Sequence, residues 1–413
     1  MNISEGSVAI SGLGCISAAG RDVEEHLQTF VERSIVPAPV PGRLFETSLP
    51  YPVFAVGPDP LSPWSRALLE NLQPKISLIE LSRTSLLVLD AALQAIRSAG
   101  LNLDKLQKKR VGICLGTTVG CAFNDEEYYR TWRRGGRPCA APIFRYLGGN
   151  IASVLQAILC LRGPVGVITN ACASGTDAIG VAKNWLNTDR CDLVIAGGAD
   201  ALSRIAYNGF ASLMLADPDA CRPFDQSRKG LNLGEGAGIM VLAKIRQDDR
   251  PALGWVHGYG TAADAWHPTA PHPDGRGLQA AIKKAVADCG GGIKKEQVSL
   301  INAHGTGTPT NDLAETTAVA AVFSQDSLPP LVSTKGFTGH TLGAAGGLEA
   351  IFTLLALAAG ESKGSFRCGN PDPTFPYQPM SQGVQVALNG KIGISESLAF
   401  GGSNSCLVLE AAS

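Results

Sequence analysis

The chain has 413 residues, 45% hydrophobic and 17% charged, which suits a large buried core and excludes a disordered or low-complexity protein. A formal net charge of −1 supplies no basic field for nucleic acid, which is therefore not an expected partner. Eleven cysteines are scattered with no CxxC pair and no short Cys/His metal spacing, an odd number that fits reduced thiols in a cytoplasm rather than a disulfide framework.

The N-terminal MNISEGSVAI lacks the basic and long apolar regions of a secretory signal, which again predicts a cytoplasmic location. Four apolar, β-branched runs then recur: VAISGLG from Val8, VGICLG at Val111–Gly116, VGVITN at Val165–Asn170 and LVIAGGA at Leu193–Ala199. They are apolar almost throughout, as strands covered on both faces are. Ser85–Ser98 and Thr176–Leu186 between them read as helices. A charged, proline-marked break at Gln247–Pro251 follows, and the alternation resumes. LINAHG (Leu300–Gly305) and LVST (Leu331–Thr334) precede helical stretches that begin near Asp312 and Leu342. Strand–helix alternation predicts α/β layers. The apolar run Ile351–Ala359 is far short of the roughly 20 residues a membrane span needs. Glu349 lies just before it, so a buried helix is expected and no membrane span. No internal repeat is visible.

Cys172, in Asn170-Ala171-Cys172-Ala173-Ser174-Gly175, follows a short apolar strand and opens a run of small residues leading into a helix. That is the sequence form of a nucleophile elbow, where a sharp turn lifts the side chain and small neighbours allow close backbone approach. The helix N-terminus is expected to favour the thiolate. The competing reading is a buried structural cysteine, the usual fate of a free thiol. His304 lies in Asn302-Ala303-His304-Gly305-Thr306-Gly307-Thr308-Pro309-Thr310-Asn311-Asp312, and His340 in the stretch STKGFTGHTLGAAG from Ser333 to Gly346. Each sits in a glycine-rich loop beside a strand or helix end, and the chain has only six histidines. A metal site is the rival reading, but neither motif has HExxH-type spacing or a local cysteine, and no metal is expected.

In this order, NACASG, NAHGTGTPTND and STKGFTGHTLGAAGGLEA resemble the signature of the β-ketoacyl-(acyl carrier protein) synthases of types I and II. AFGGSNS from Ala399, CRPFD from Cys221 and LGEGAG from Leu233 are similar to further segments of that family, so the resemblance covers essentially the whole chain. It implies a thiolase-type α/β fold, two similar βαβαβαββ halves in a five-layered α-β-α-β-α body. On this reading residues 1–250 form the half carrying Cys172, and 251–413 the half carrying His304 and His340.

The activity implied is decarboxylative Claisen condensation. Cys172 takes an acyl chain from an acyl carrier protein, and a malonyl thioester then loses CO₂ and attacks the acyl-Cys172 thioester. His304 and His340 are implied to hydrogen-bond the malonyl carbonyl, with Lys335 and Glu349 as the pair that orients them. The backbone N–H groups of Cys172 and Phe400 are implied as the oxyanion hole and gate. Thr306, Thr308 and Thr269 match positions along the pantetheine arm. No cofactor is implied beyond the phosphopantetheine that carries the substrates. The partners implied are the carrier protein and a second subunit, identical or related.

One stretch departs from fatty-acid-elongating members. Cys121, Asn124 and Tyr128, within Gly120–Tyr129, fall where the family lines its acyl pocket, and their polarity points to a polyene or polyketide product as readily as to a saturated fatty acid. The charge run Asp125–Glu127 fits a solvent-facing helix equally well. For carrier docking, Leu69–Ser77 offers only Lys75, with Arg204, Arg133, Arg134 and Arg137 as further candidates. The alternative from another class is a non-catalytic subunit resembling a chain-length factor, which would shape a partner's pocket; such subunits typically lack the nucleophile.

Overall fold

The computed structural model describes residues 6–72, 78, 81–120, 126–141, 143, 150–244, 252–323 and 328–412. Lys75, Cys121, Asn124 and the break at Gln247–Pro251 therefore lie outside the described residues.

The first half supplies β1 (Val8–Ser17), β2 (Val111–Gly116), β3 (Val165–Ile168), β4 (Leu193–Asp200) and β5 (Gly236–Lys244). The second supplies β6 (Gly254–Ala263), β7 (Val298–Asn302) and β8 (Leu331–Val332), then a small hairpin of β9 (Glu361–Lys363) and β10 (Gln385–Ala387), and finally β11 (Ile392–Ala399) and β12 (Ser403–Ala411). Across the sheet the order is β3-β2-β4-β5-β1-β6-β12-β11-β7-β8. Read outward from the β1–β6 junction, both halves have one topology: the fifth strand is antiparallel to the first and fourth, and the second is parallel to the third and fourth. The duplication invisible in the residues is plain in the strand order. Only Val8–Ile10 on β1 and Gly254–Val256 on β6 pair across the junction.

Helices α1 (Arg83–Ser98) and α2 (Ile151–Leu159) cover the outer face of the first half-sheet, and α4 (Arg276–Ala287) and α5 (Pro309–Val322) that of the second. Helices α3 (Ser174–Asn187) and α6 (Ala345–Ala359) pack on each other and on strands of both halves. The result is the five-layered thiolase-type body. The apolar runs explain the layers: β2 and β4 are buried at every position, because helices cover both faces. The run at Val165 does not follow that expectation. β3 is half-buried throughout because it is the outermost strand, with one edge unpaired among the described residues.

Leu342–Ala359 is long and apolar enough to cross a membrane by length and composition, but 78% of it is buried here, as a core helix requires. Between α3 and α6 the backbones approach closely. A Cβ on Gly346 would fall 2.0 Å from Thr176 Oγ1.

Candidate active site

Cys172 stands on a tight turn between β3 and α3. Ala171 adopts a left-handed conformation, φ 46°, and the N–H groups of Ala173 and Ser174 donate back to the carbonyls of Asn170 and Ala171 at 3.1 Å each. Ser174 Oγ accepts from Asn170 N–H (2.8 Å) and donates to Ala171 O (2.6 Å), which locks the turn. The elbow read from small residues is thus built by a left-handed residue and one hydroxyl. Cys172 is 4% exposed, at the floor of a cleft, with Sγ 3.0 Å from His340 Nε2.

Electrostatics correct the expectation of a ready thiolate. Burial pushes the Cys172 thiol up to about 12, and the Lys335 charge and the Phe400 N–H pull it down by less. Burial, and then the Lys335 charge, hold both imidazoles well below their ordinary value, so they are neutral at neutral pH. The resting pair is therefore a neutral thiol facing a neutral imidazole.

His304 lies just past β7, its ring 5.0 Å from that of His340 and nearly perpendicular to it. Lys335 Nζ donates to His304 Nδ1 (3.2 Å) and His304 O (2.5 Å), and ion-pairs with Glu349. This fully buried cation assigns the imidazole proton of His304 to Nε2. Glu349 itself is pushed up to about 7 by burial, in spite of Lys335.

The cleft above Cys172 is lined by His304, His340, Phe400, Thr306, Thr308 and Thr269, among others. The structure therefore brings together Cys172, both histidines, Phe400 and the three threonines. The hydroxyls of Thr306 and Thr308 are 2.9 Å apart, and Thr269 N–H donates to His267 Nδ1 (3.1 Å). Tyr128 does not join them. It lies on the helix Glu126–Arg133, which buries no residue, and does not line the cleft.

Three residues that the sequence reading passed over hold this geometry. Glu315, on α5, accepts the N–H groups of His304 (2.5 Å) and Gly305 (2.8 Å). Asp200, at the end of β4, accepts from Thr117 Oγ1 (2.6 Å) and from the N–H groups of Thr118 (2.7 Å), Val119 (3.1 Å) and Gly343 (2.7 Å). It thereby ties the loop after β2 to the loop that follows His340. Phe210 stacks on Phe400 at 5.2 Å and meets His340 edge-on at 6.1 Å. Of the two acids only Asp200 carried a sequence signal, its place at the end of the apolar run from Leu193.

The ligand atoms of Cys172, His304 and His340 all lie within 4.8 Å of one another, so distance alone would admit a cation. The donor set argues against one, because Lys335 repels a cation and keeps His304 Nε2 protonated.

Comparison with known proteins adds to this geometry. The family described as "Beta-ketoacyl synthase, N-terminal domain" matches residues 5–248, and "Beta-ketoacyl synthase, C-terminal domain" matches 253–365. The chain is 33% identical to 3-oxoacyl-[acyl-carrier-protein] synthase 2 of Synechocystis sp. over 99% of both chains. Among solved structures, it is similar to the ishigamide ketosynthase/chain length factor, with TM-score 0.87 and 29% identity over 98% of this chain and 99% of that one. It is also similar to a chain of the complex of the ketosynthase ApeO with its chain length factor ApeC from Xenorhabdus doucetiae, with TM-score 0.76 and 30% identity over 98% of both chains.

Proposed function

This chain belongs to the β-ketoacyl synthase family, and from that premise we propose that it joins an acyl chain held on Cys172 to a malonyl unit carried by an acyl carrier protein, giving 3-oxoacyl-(acyl carrier protein) and CO₂. The convergence of Cys172, His304 and His340 at the floor of one cleft carries this reading.

In the first half-reaction Cys172 Sγ attacks the thioester carbonyl. Its proton passes to His340 Nε2, 3.0 Å away, and from there to the departing pantetheine thiolate. The backbone N–H groups of Cys172 and Phe400 stabilise the oxyanion. In the second, His304 Nε2–H donates to the malonyl thioester carbonyl, and so does His340 once tautomer exchange has moved its single ring proton from Nδ1 to Nε2, which the first half-reaction left free. Their donation stabilises the enolate left when CO₂ departs, and its carbon attacks the acyl-Cys172 carbonyl and expels Sγ. Loss of CO₂ drives the bond formation, so the chemistry calls for no metal or redox cofactor. Lys335 and Glu349 position His304. Thr306, Thr308 and Thr269 line the path of the pantetheine arm.

Residues 1–250 would then be the half that carries the acyl group and 251–413 the half that activates malonate. The repeated strand order supports that division. The edge of β3, free among the described residues, and the helix Glu126–Arg133, none of whose residues is fully buried, support a second subunit, whether identical or related. ApeO's partner is a chain length factor, a precedent for the related kind. Cys172 with both histidines argues against a non-catalytic subunit of that type here. The ten described cysteines are all free, which supports a reducing compartment such as the cytoplasm. Cys172→Ala should still release CO₂ from malonyl-(acyl carrier protein) while forming no 3-oxoacyl product. Wild-type product formation by that variant would refute the reading.

A further inference from the structure

A second cavity, of about 150 Å³, shares no lining residue with the Cys172 cleft among the described residues. Its walls come from the helix Val23–Glu32, β7, β8 and α6, and its rim from β9. Phe30, Phe337, Phe352, Leu300 and Val332 make it apolar. The Phe30 ring lies 4.5 Å from that of Phe337 and meets that of Phe352 edge-on at 4.8 Å, so one wall is aromatic. Thr334 and Phe337 also place the cavity against Lys335, the residue that positions His304.

Two cations interrupt the apolar lining, Arg33 and Lys363, and among the described residues neither is in an ion pair. Arg33 ends the helix in a left-handed conformation, φ 54°, and its guanidinium lies 6.0 Å from the ring centroid of Phe337 and 5.8 Å from that of Phe366. Its Nη1 and Nη2 donate to the carbonyls of Gln382 and Gly364, but Nε is buried without a hydrogen-bond partner. Burial pulls the Arg33 guanidinium below its ordinary value. A buried unsatisfied donor and a partly desolvated charge with no counter-charge both cost free energy, which a bound anion would offset. Thr334 Oγ1, on the same lining, is likewise buried and unpartnered. The acid that lines the cavity, Glu361, is engaged elsewhere: its Oε2 accepts from Gln385 Nε2 (2.7 Å).

We propose that this cavity is a second ligand site, which binds a medium-chain carboxylic acid with its carboxylate at Arg33 and Lys363 and its alkyl chain among Phe30, Phe337 and Phe352. A carboxylate accepts from a guanidinium and an ammonium at once, whereas a neutral apolar molecule would leave both cations unmatched. An apolar cavity of this volume in a protein core admits benzene, so an alkyl body of about six carbons fits inside.

Calorimetric titration of the full chain with octanoate tests the site. Wild type should bind one octanoate per chain, and octanol, the same chain without the charge, about ten-fold more weakly or worse. Lys363→Glu, a change at the rim, should raise Kd for octanoate by about ten-fold or more. Ala356→Phe, which fills the cavity from α6, should abolish binding. Where Ala356→Phe fails to fold, Lys363→Glu and the octanol comparison decide. Absence of saturable octanoate binding by wild type would overturn the proposal. So would octanol binding as tightly as octanoate, since the cations would then play no part. Unchanged Kd in Lys363→Glu would put the acid at another place, such as the Cys172 cleft, and would overturn it too. No thioester enters the titration, so its outcome is independent of whether the chain condenses acyl groups.

Discussion

Cys172 meets opposing influences, and burial wins: the thiol is pushed up to about 12 although Lys335 and the Phe400 N–H favour the anion. Activation therefore depends on a base at the moment of attack, and His340 is the group in reach. Alkylation of Cys172 by iodoacetamide should accelerate steadily with pH across 7 to 10, because the thiolate fraction grows with each unit below the raised value. A plateau near neutrality would mean a preformed thiolate. Asp200 lies among the groups that raise the thiol. Asp200→Asn should shift the alkylation profile to lower pH by removing that charge. It should also slow condensation, because Thr118 and Gly343 lose their shared carboxylate acceptor.

The histidines should separate under single-turnover assay. His304→Ala should cost about 10²-fold in decarboxylation, the scale for losing one donor to a developing oxyanion, and leave acylation of Cys172 nearly intact. His340→Ala should slow both steps, since its Nε2 also faces the thiol. Equal effects on acylation would contradict the division of roles. Cys172, His304 and His340 were legible in the sequence because each sits in a short, glycine-rich motif. Glu315, Asp200 and Phe210 were not, since they act on those motifs from α5, β4 and the helix Arg204–Ser212, through contacts that only the folded chain brings about.

At the scale of elements, the nucleophile turn is placed by the packing of α3 on α6. Gly346 lets Thr176 come close enough to exchange a hydrogen bond with Ser397 on β11 (Oγ to Oγ, 2.7 Å). Gly346→Ala would force a Cβ to within 2.0 Å of Thr176 Oγ1, so one helix must shift. Overpacking of this kind costs about 1–3 kcal/mol, to be read as a lower urea midpoint with unchanged slope. Condensation should fall with it, because the shift moves Cys172 relative to His340. Strand faces were legible where both sides are covered, as in β2 and β4. They misled at β3, where a run of the same composition forms a sheet edge, because composition does not say which strand is outermost.

In the whole molecule, the site exists only where the two halves meet. Cys172 comes from the first, and His304, His340, Lys335 and Glu349 from the second. The duplication that creates this seam left no visible repeat in the residues, since the same strand order tolerates different side chains so long as burial is kept. The fold class was nonetheless legible through the motifs, whose loops must face one another across that seam. The central claim, that Cys172 carries the acyl chain into a decarboxylative condensation, is tested most directly by intact-protein mass spectrometry in two stages. Mixed with an acyl-(acyl carrier protein), the wild-type chain should gain one acyl group, mapped by digestion to Cys172. Addition of malonyl-(acyl carrier protein) should discharge it with equimolar CO₂ and 3-oxoacyl product. An acyl group on any other residue, or an adduct at Cys172 that malonyl-(acyl carrier protein) does not discharge, would contradict it.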